Sequence, residues 1–221
     1  RLMRRFAATG KREDLMTCAR LFAMSPGPTQ TARLTQGFEE AFKGRPMVAL
    51  PDELLSAMER AGGESTLIGA RRGKPAAVSA ALAAIADRSG DVGRRIQYTQ
   101  VFGEVRQAQA VPVLLAVARD EKNHELRRAA LAALQAYENP EIAGEVVVFL
   151  PTFPAEVRAA GFALLSSRPV WAATLLRSAS GGTLPKESVP RDVLHRIQKY
   201  TVAPIPELLS RLWPTLRAPT S

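Results

Sequence analysis

The feature that most constrains this chain is internal repetition, clearest over residues 110–165. That stretch, AVPVLLAVARDEKNHELRRAALAALQAYENPEIAGEVVVFLPTFPAEVRAAGFALL, reads as helix, turn, helix, and then the same again. Aligning Arg94, Arg127 and Arg158, at steps of 33 and 31 residues, sets Ile96, Ala129 and Ala160 in one column. Tyr98, Leu131 and Phe162 form the next column, and Val101, Leu134 and Leu165 the one after. The preceding helices give Val78, Val111 and Ile142, then Leu82, Leu115 and Val146, then Ile85, Ala118 and Phe149. Positions i, i+4 and i+7 lie on one face of a 3.6-residue period. A helix pair this short cannot bury its apolar face alone and must stack on its neighbours. The expected architecture is therefore all-α: a right-handed α-solenoid of about five to six antiparallel pairs.

Punctuation along the chain fits many short helices. Residues 1–9 read as a helix stopped at Gly10, followed by helices over 13–24 and 31–42, with Gly44-Arg45-Pro46 closing that pair. Pro51-Asp52-Glu53 opens the next helix, placing proline where its missing N–H costs nothing and acids where the helix dipole favours them. Gly62-Gly63 ends it, and 65–71 is a short helix at best. Regular pairs follow at 75–87 with 92–106, 109–119 with 124–138, and 140–150 with 155–167. A degenerate unit then comprises 169–179, the loop SGGTLPKES and 189–200, where Leu194 and Ile197 continue the Phe162 and Leu165 columns. A last helix over 206–216 is a candidate cap, and the final APTS reads as a frayed end. The whole of 1–221 is thus expected to be one repeat domain: irregular to 73, regular over 74–168, degenerate from 169.

Among helical repeats the chain resembles HEAT-like pairs. The resemblance lies in an acid near the turn, an Arg early in the second helix and small residues after it: Asp120 with LRRAALAAL, and Glu156 with VRAAGFALL. An acid in one turn facing an Arg of the next repeat would build a ladder of ion pairs. Arg94, Arg95, Arg127, Arg128 and Arg158 are therefore candidates for that ladder or, where not spent in it, for a docking stripe.

Sequences that carry reactions leave few traces here. There is no glycine-rich phosphate loop, no GxSxG elbow, and no HExxH, CxxC or CxxCH pattern. His124 sits in the turn EKNHE; His195 follows Asp192 by less than one helical turn, but no nucleophile accompanies them. Two histidines 71 residues apart offer no metal-ligand spacing. Cys18, alone in DLMTCARLFAM, reads as a buried inert thiol, and Tyr98, Trp171 and Trp213 as core or cap residues. No catalytic, cofactor-binding or metal residue is assigned. The longest apolar run, AAVSAALAAIA at 76–86, falls short of the roughly 18–20 residues that span a bilayer. The net charge of +9 fits nucleic acid, an anionic surface or an acidic partner. Arg1, Arg4, Arg5, Lys11 and Arg12 form its one local concentration. A chain that begins with Arg1 reads as a piece of a longer product, whose leader would lie outside it.

The wording of several segments carries a more specific resemblance. LMRRFAATGKREDLMTCARLFAMSPGPTQTARLTQGFEEAFKGRP, LPDELLSAMERAGG, RRIQYTQVFGEVRQAQAVPVLLAVA and LRRAALAALQAYENPEIAGEVV resemble the middle region of large secreted planctomycete-type proteins. In those proteins a sugar-dehydrogenase-like β-propeller comes first, this helical region next and a c-type cytochrome domain last. The resemblance implies a non-catalytic spacer and docking surface between redox domains, in an exported protein of the periplasm or cell envelope. Haem would belong to a separate domain, and the partners would be proteins. A competing expectation is nucleic-acid binding, since HEAT-like arrays include small basic DNA glycosylases of the alkylpurine type. A helical-repeat lyase built on His195 and Asp192 is a third.

Overall fold

The structure is a computed structural model and describes residues 1–42, 49–63 and 65–216. Among these the chain is all-α, with helices and no strand. In order they are α1 (Leu2–Thr9), α2 (Arg12–Ala23), α3 (Pro28–Ala41), α4 (Asp52–Arg60), α5 (Thr66–Arg71), α6 (Pro75–Ala86) and α7 (Val92–Glu104). Then come α8 (Ala110–Asp120), α9 (His124–Leu134), α10 (Glu141–Phe149), α11 (Ala155–Leu165), α12 (Pro169–Ser180), α13 (Arg191–Ile197) and α14 (Ile205–Leu212). The expected break at Gly44-Arg45-Pro46 and the last five residues, the expected frayed APTS among them, lie outside the described residues.

Proline is the main helix starter. It is the first or second residue of α3, α12 and α14, and the residue before α4, α10, α11 and α13. There its fixed φ suits the helix and no backbone donor is lost. At α7 and α9 a side chain caps instead: Asp91 accepts from the Arg94 N–H at 2.8 Å, and Asn123 from the Leu126 N–H at 2.9 Å. Gly10 stops α1 in the left-handed conformation, φ 68°.

Two compact units divide the chain, Arg1–Ala83 and Ala84–Ser221, with the boundary inside α6. In the first unit α2 packs on α1 and α4, and α1 on α3. Leu15, Cys18 and Phe22 of α2 meet Met3, Phe38, Leu54, Met58 and Ile68 in a core closed by the Phe38 and Phe42 rings, 5.3 Å apart.

The second unit holds the regular repeats. Here α9 lies between α7 and α11, while α10 lies between α8 and α12. Each pair is joined by contacts of α8 with α9 and α10 with α11. Burial fixes the register of the second helices. Arg95, Tyr98, Thr99 and Phe102 of α7 occupy the same buried positions as Arg127, Ala130, Leu131 and Leu134 of α9, a step of 32. A step of 31 then leads to Arg158, Gly161, Phe162 and Leu165 of α11. This corrects the expected first step by one residue: Arg94 points outward and Arg95 takes its column. Adjacent arginines are indistinguishable by letter, and only the phase of burial separates them. In α13, Leu194 and Ile197 are buried 32 residues beyond Phe162 and Leu165, as the columns require.

Candidate docking surface

The five arginines divide by orientation. Arg95, Arg127 and Arg158 turn inward and donate to carbonyls at the end of the preceding helix or just beyond it. Arg95 Nε donates to the Ile85 carbonyl at 2.9 Å. Arg127 Nε donates to Ala118 at 2.9 Å and its Nη2 to Arg119 at 3.3 Å. Arg158 donates through Nε and Nη2 to Phe153, at 3.3 and 3.0 Å. Helix ends leave carbonyls without intrahelical partners, so each guanidinium ties the two helices of its own pair together. Arg94 and Arg128 are exposed.

Acids meet these arginines differently from the expected ladder. Arg95 Nη2 pairs with Glu121 Oε2 at 2.6 Å, with both side chains almost wholly buried. The other oxygen, Glu121 Oε1, accepts the Lys122 and Asn123 N–H groups at 2.7 and 3.1 Å. Burial alone would raise this carboxyl's pKa; the Asn123 N–H, Arg95 and the Lys122 N–H together outweigh it and hold the carboxyl below its ordinary value. The rung is therefore Arg95–Glu121. Asp120 instead pairs with its neighbour Arg119 in solvent, and Glu156 is exposed, 4.0 Å from His124. Arg127 stacks its guanidinium 4.4 Å from the centre of the Phe153 ring, and desolvation lowers its pKa.

A second periodic set escaped the sequence reading. Tyr137 donates to the Phe102 carbonyl at 2.7 Å, Arg168 to Gln135 at 2.7 Å, and Tyr200 to Ser166 at 3.0 Å. The donors stand 31 and 32 residues apart, and each reaches a carbonyl at or near the end of the second helix one repeat earlier. Unlike the arginines, these bonds tie consecutive pairs to each other. Tyr and Arg alternate in this role, so no single letter repeats to reveal it. Burial pushes the Tyr137 phenol up to about 12.

The other singled-out residues lie apart. Cys18 is fully buried in α2, its thiol pushed up to about 11 by desolvation first and the Asp14 charge second. His124 is the first residue of α9 and exposed. His195 is half-buried in α13, its Nδ1 without a hydrogen-bond partner, while Asp192 is exposed. Tyr98 and Trp171 are core residues, and Trp213 is half-buried just after α14. Among the described residues no cluster of His, Cys, Asp and Glu could hold a metal ion, and no helix is long and apolar enough to cross a membrane. No family model, curated protein or solved structure matches the chain.

Proposed function

We propose that this chain is a non-catalytic α-solenoid scaffold of HEAT-like pairs, about five to six in a right-handed array. It holds or docks the redox domains of a larger exported protein. The observation that carries the scaffold reading is the double set of carbonyl contacts. Arg95, Arg127 and Arg158 close each pair, and Tyr137, Arg168 and Tyr200 join one pair to the next. A chain stabilised by nearest-neighbour contacts of this kind presents an extended surface at modest cost, which suits domain docking. The net charge of +9 and the exposed Arg94 and Arg128 suit an acidic partner. The redox setting rests on the resemblance to planctomycete-type proteins, in which haem belongs to a separate domain.

The deciding experiment is a reduced-minus-oxidised visible spectrum of the full-length gene product, taken with its intact mass. Covalently bound haem is the expected result. A product with neither haem nor the mass of an added domain would overturn the redox reading. Affinity for duplex DNA that survives about 200 mM salt, where phosphate-driven binding falls steeply, would replace protein docking with nucleic-acid binding.

A further inference from the structure

The carbonyl contacts that join consecutive pairs stop at α13. Their acceptors are Phe102, Gln135 and Ser166, and the last two are the residues that close α9 and α11. A further step of 32 residues leads to Gln198, which closes α13 in the same way. Among the described residues no donor reaches its carbonyl. Helix α14 packs on α12 as α12 packs on α10, so it takes the place of the next first helix. Among the described residues no second helix follows it. We propose that α13 receives one amphipathic helix from a partner protein. That helix docks beside α13 as α9 docks beside α7, and it donates to the Gln198 carbonyl through a phenol or a guanidinium. The proposal rests on the scaffold reading above and narrows it to a position and a partner chemistry.

Space for such a helix lies along α13. A cleft of about 440 Å³ is lined by Arg191, Leu194 and His195, and one of about 560 Å³ by Gln198 and Tyr200; Trp213 and Leu216 wall both. Arg191, His195 and Gln198 stand at i, i+4 and i+7, so both clefts follow a single helix face. Either cleft alone has the volume of a small-ligand pocket; their alignment along one face is what a docked helix needs. The repeat shows which way that face looks. Gly103, Gln135, Ser166 and Gln198 occupy one column, at steps of 32, 31 and 32. At Gly103 an added Cβ would lie 3.2 Å from the Ala133 Cα of the next second helix, and Ser166 Oγ accepts from Arg196 of α13 at 3.3 Å. Gln198 therefore faces the place of the next second helix. Two buried atoms on this face, Gln198 Oε1 and His195 Nδ1, also have no hydrogen-bond partner, and such groups are costly to leave unmet. Lys186 and Arg191 stand beside Glu187 and Asp192, so an apolar stripe and a donor select the partner, and net charge does not.

The test uses the ¹⁵N-labelled 221-residue chain and, as the probe helix, a capped peptide of residues 124–137, HELRRAALAALQAY. This is α9 with its Tyr137 donor, a helix already shaped to lie on a second helix and to reach its closing carbonyl. Adding it should shift the amides of His195, Gln198 and Lys199 and the indole N–H of Trp213. It should also change the tryptophan fluorescence, through the half-buried Trp213, since Trp171 is wholly buried. A Tyr137→Phe peptide should bind about two- to ten-fold more weakly, the worth of one hydrogen bond, and a Leu131→Asp peptide should not bind. In the chain, Ser210→Trp fills the larger cleft from an exposed position on α14 and should abolish the shifts, while Arg128→Ala should leave them unchanged. Absence of any shift, equal binding of the three peptides, shifts centred on α7 and α11 where the peptide displaces the chain's own α9, or normal binding to Ser210→Trp would each overturn the proposal. Failure here with haem present in the full-length product would sink the helix site alone. Binding here without haem would keep the site and remove the redox setting.

Discussion

Arg127 and Arg128 are adjacent and identical in letter, yet their removal should differ by a factor of several in free energy. Arg127 is 8% exposed. Replacing it with Ala removes charge-assisted bonds to the Ala118 and Arg119 carbonyls, worth about 1.5–3 kcal/mol together. It also removes the stacking on Phe153, about 0.5–2 kcal/mol for a desolvated pair, and roughly 1 kcal/mol of stem packing. The expected cost is therefore about 3–6 kcal/mol, a large part of the ~5–15 kcal/mol that holds a typical domain together. Arg128→Ala, on the exposed face, should stay within about 0.5 kcal/mol of wild type. Arg127→Met, which keeps the stem but not the donors, should fall between, at about 2–3 kcal/mol.

Urea unfolding followed by helical circular dichroism reads the difference. With a slope of about 2 kcal/mol per molar, Arg127→Ala should lower the midpoint by roughly 1.5–3 M, and Arg128→Ala by no more than about 0.3 M. A double change of Arg127→Ala with Phe153→Leu should cost less than the sum of the two by about 1 kcal/mol, since the groups share one contact. If Arg127→Ala lies within 1 kcal/mol of Arg128→Ala, the inward arginine does not tie α8 to α9 and the reasoning fails.

Three further outcomes follow from other parts of the molecule. Glu121 has its carboxyl held below its ordinary value in the fold, so its contribution is complete above the unfolded value and lost as pH falls through the lower folded one. Glu121→Gln should accordingly destabilise by about 3–5 kcal/mol at pH 7, the cost of leaving buried Arg95 without its partner, and should flatten the loss of stability in acid; an unchanged acid slope would refute this. The Cys18 thiol, pushed up to about 11 and fully buried, should react with a chromogenic disulfide at pH 8 only as fast as the chain unfolds, and at once in urea. Ionising it also favours the unfolded chain, so its share of stability should fall as pH rises from 9 towards 11. Gly144 lies exposed inside α10 with nothing within 4 Å of an added Cβ, so Gly144→Ala should stabilise by about 0.5–1 kcal/mol. At Gly69 the same atom would sit 2.6 Å from the Ala77 Cβ, and Gly69→Ala should destabilise by about 1–3 kcal/mol; melting temperatures of the two variants should move in opposite directions.

What could be read from the chain was local, and what could not was a matter of phase and of distance. Leu15, Cys18, Ala19 and Phe22 were legible as one buried face because their spacing alone specifies it. Proline placement gave most helix starts for the same reason: its effect acts within one turn. Arg94 and Arg95 could not be told apart, because a one-residue shift in an Ala- and Leu-rich helix changes few letters but turns a side chain by about 100°. The Arg95–Glu121 pair joins residues 26 apart, and Asp120 was equally plausible in sequence; only the chain's course after α8 decides which carboxylate turns inward. The Tyr137, Arg168 and Tyr200 contacts were hidden for a chemical reason. A carbonyl at a helix end asks only for a donor at the right place, and a phenol or a guanidinium can meet that need. The contact thus recurs in geometry, at steps of 31 and 32 residues, without a shared residue type.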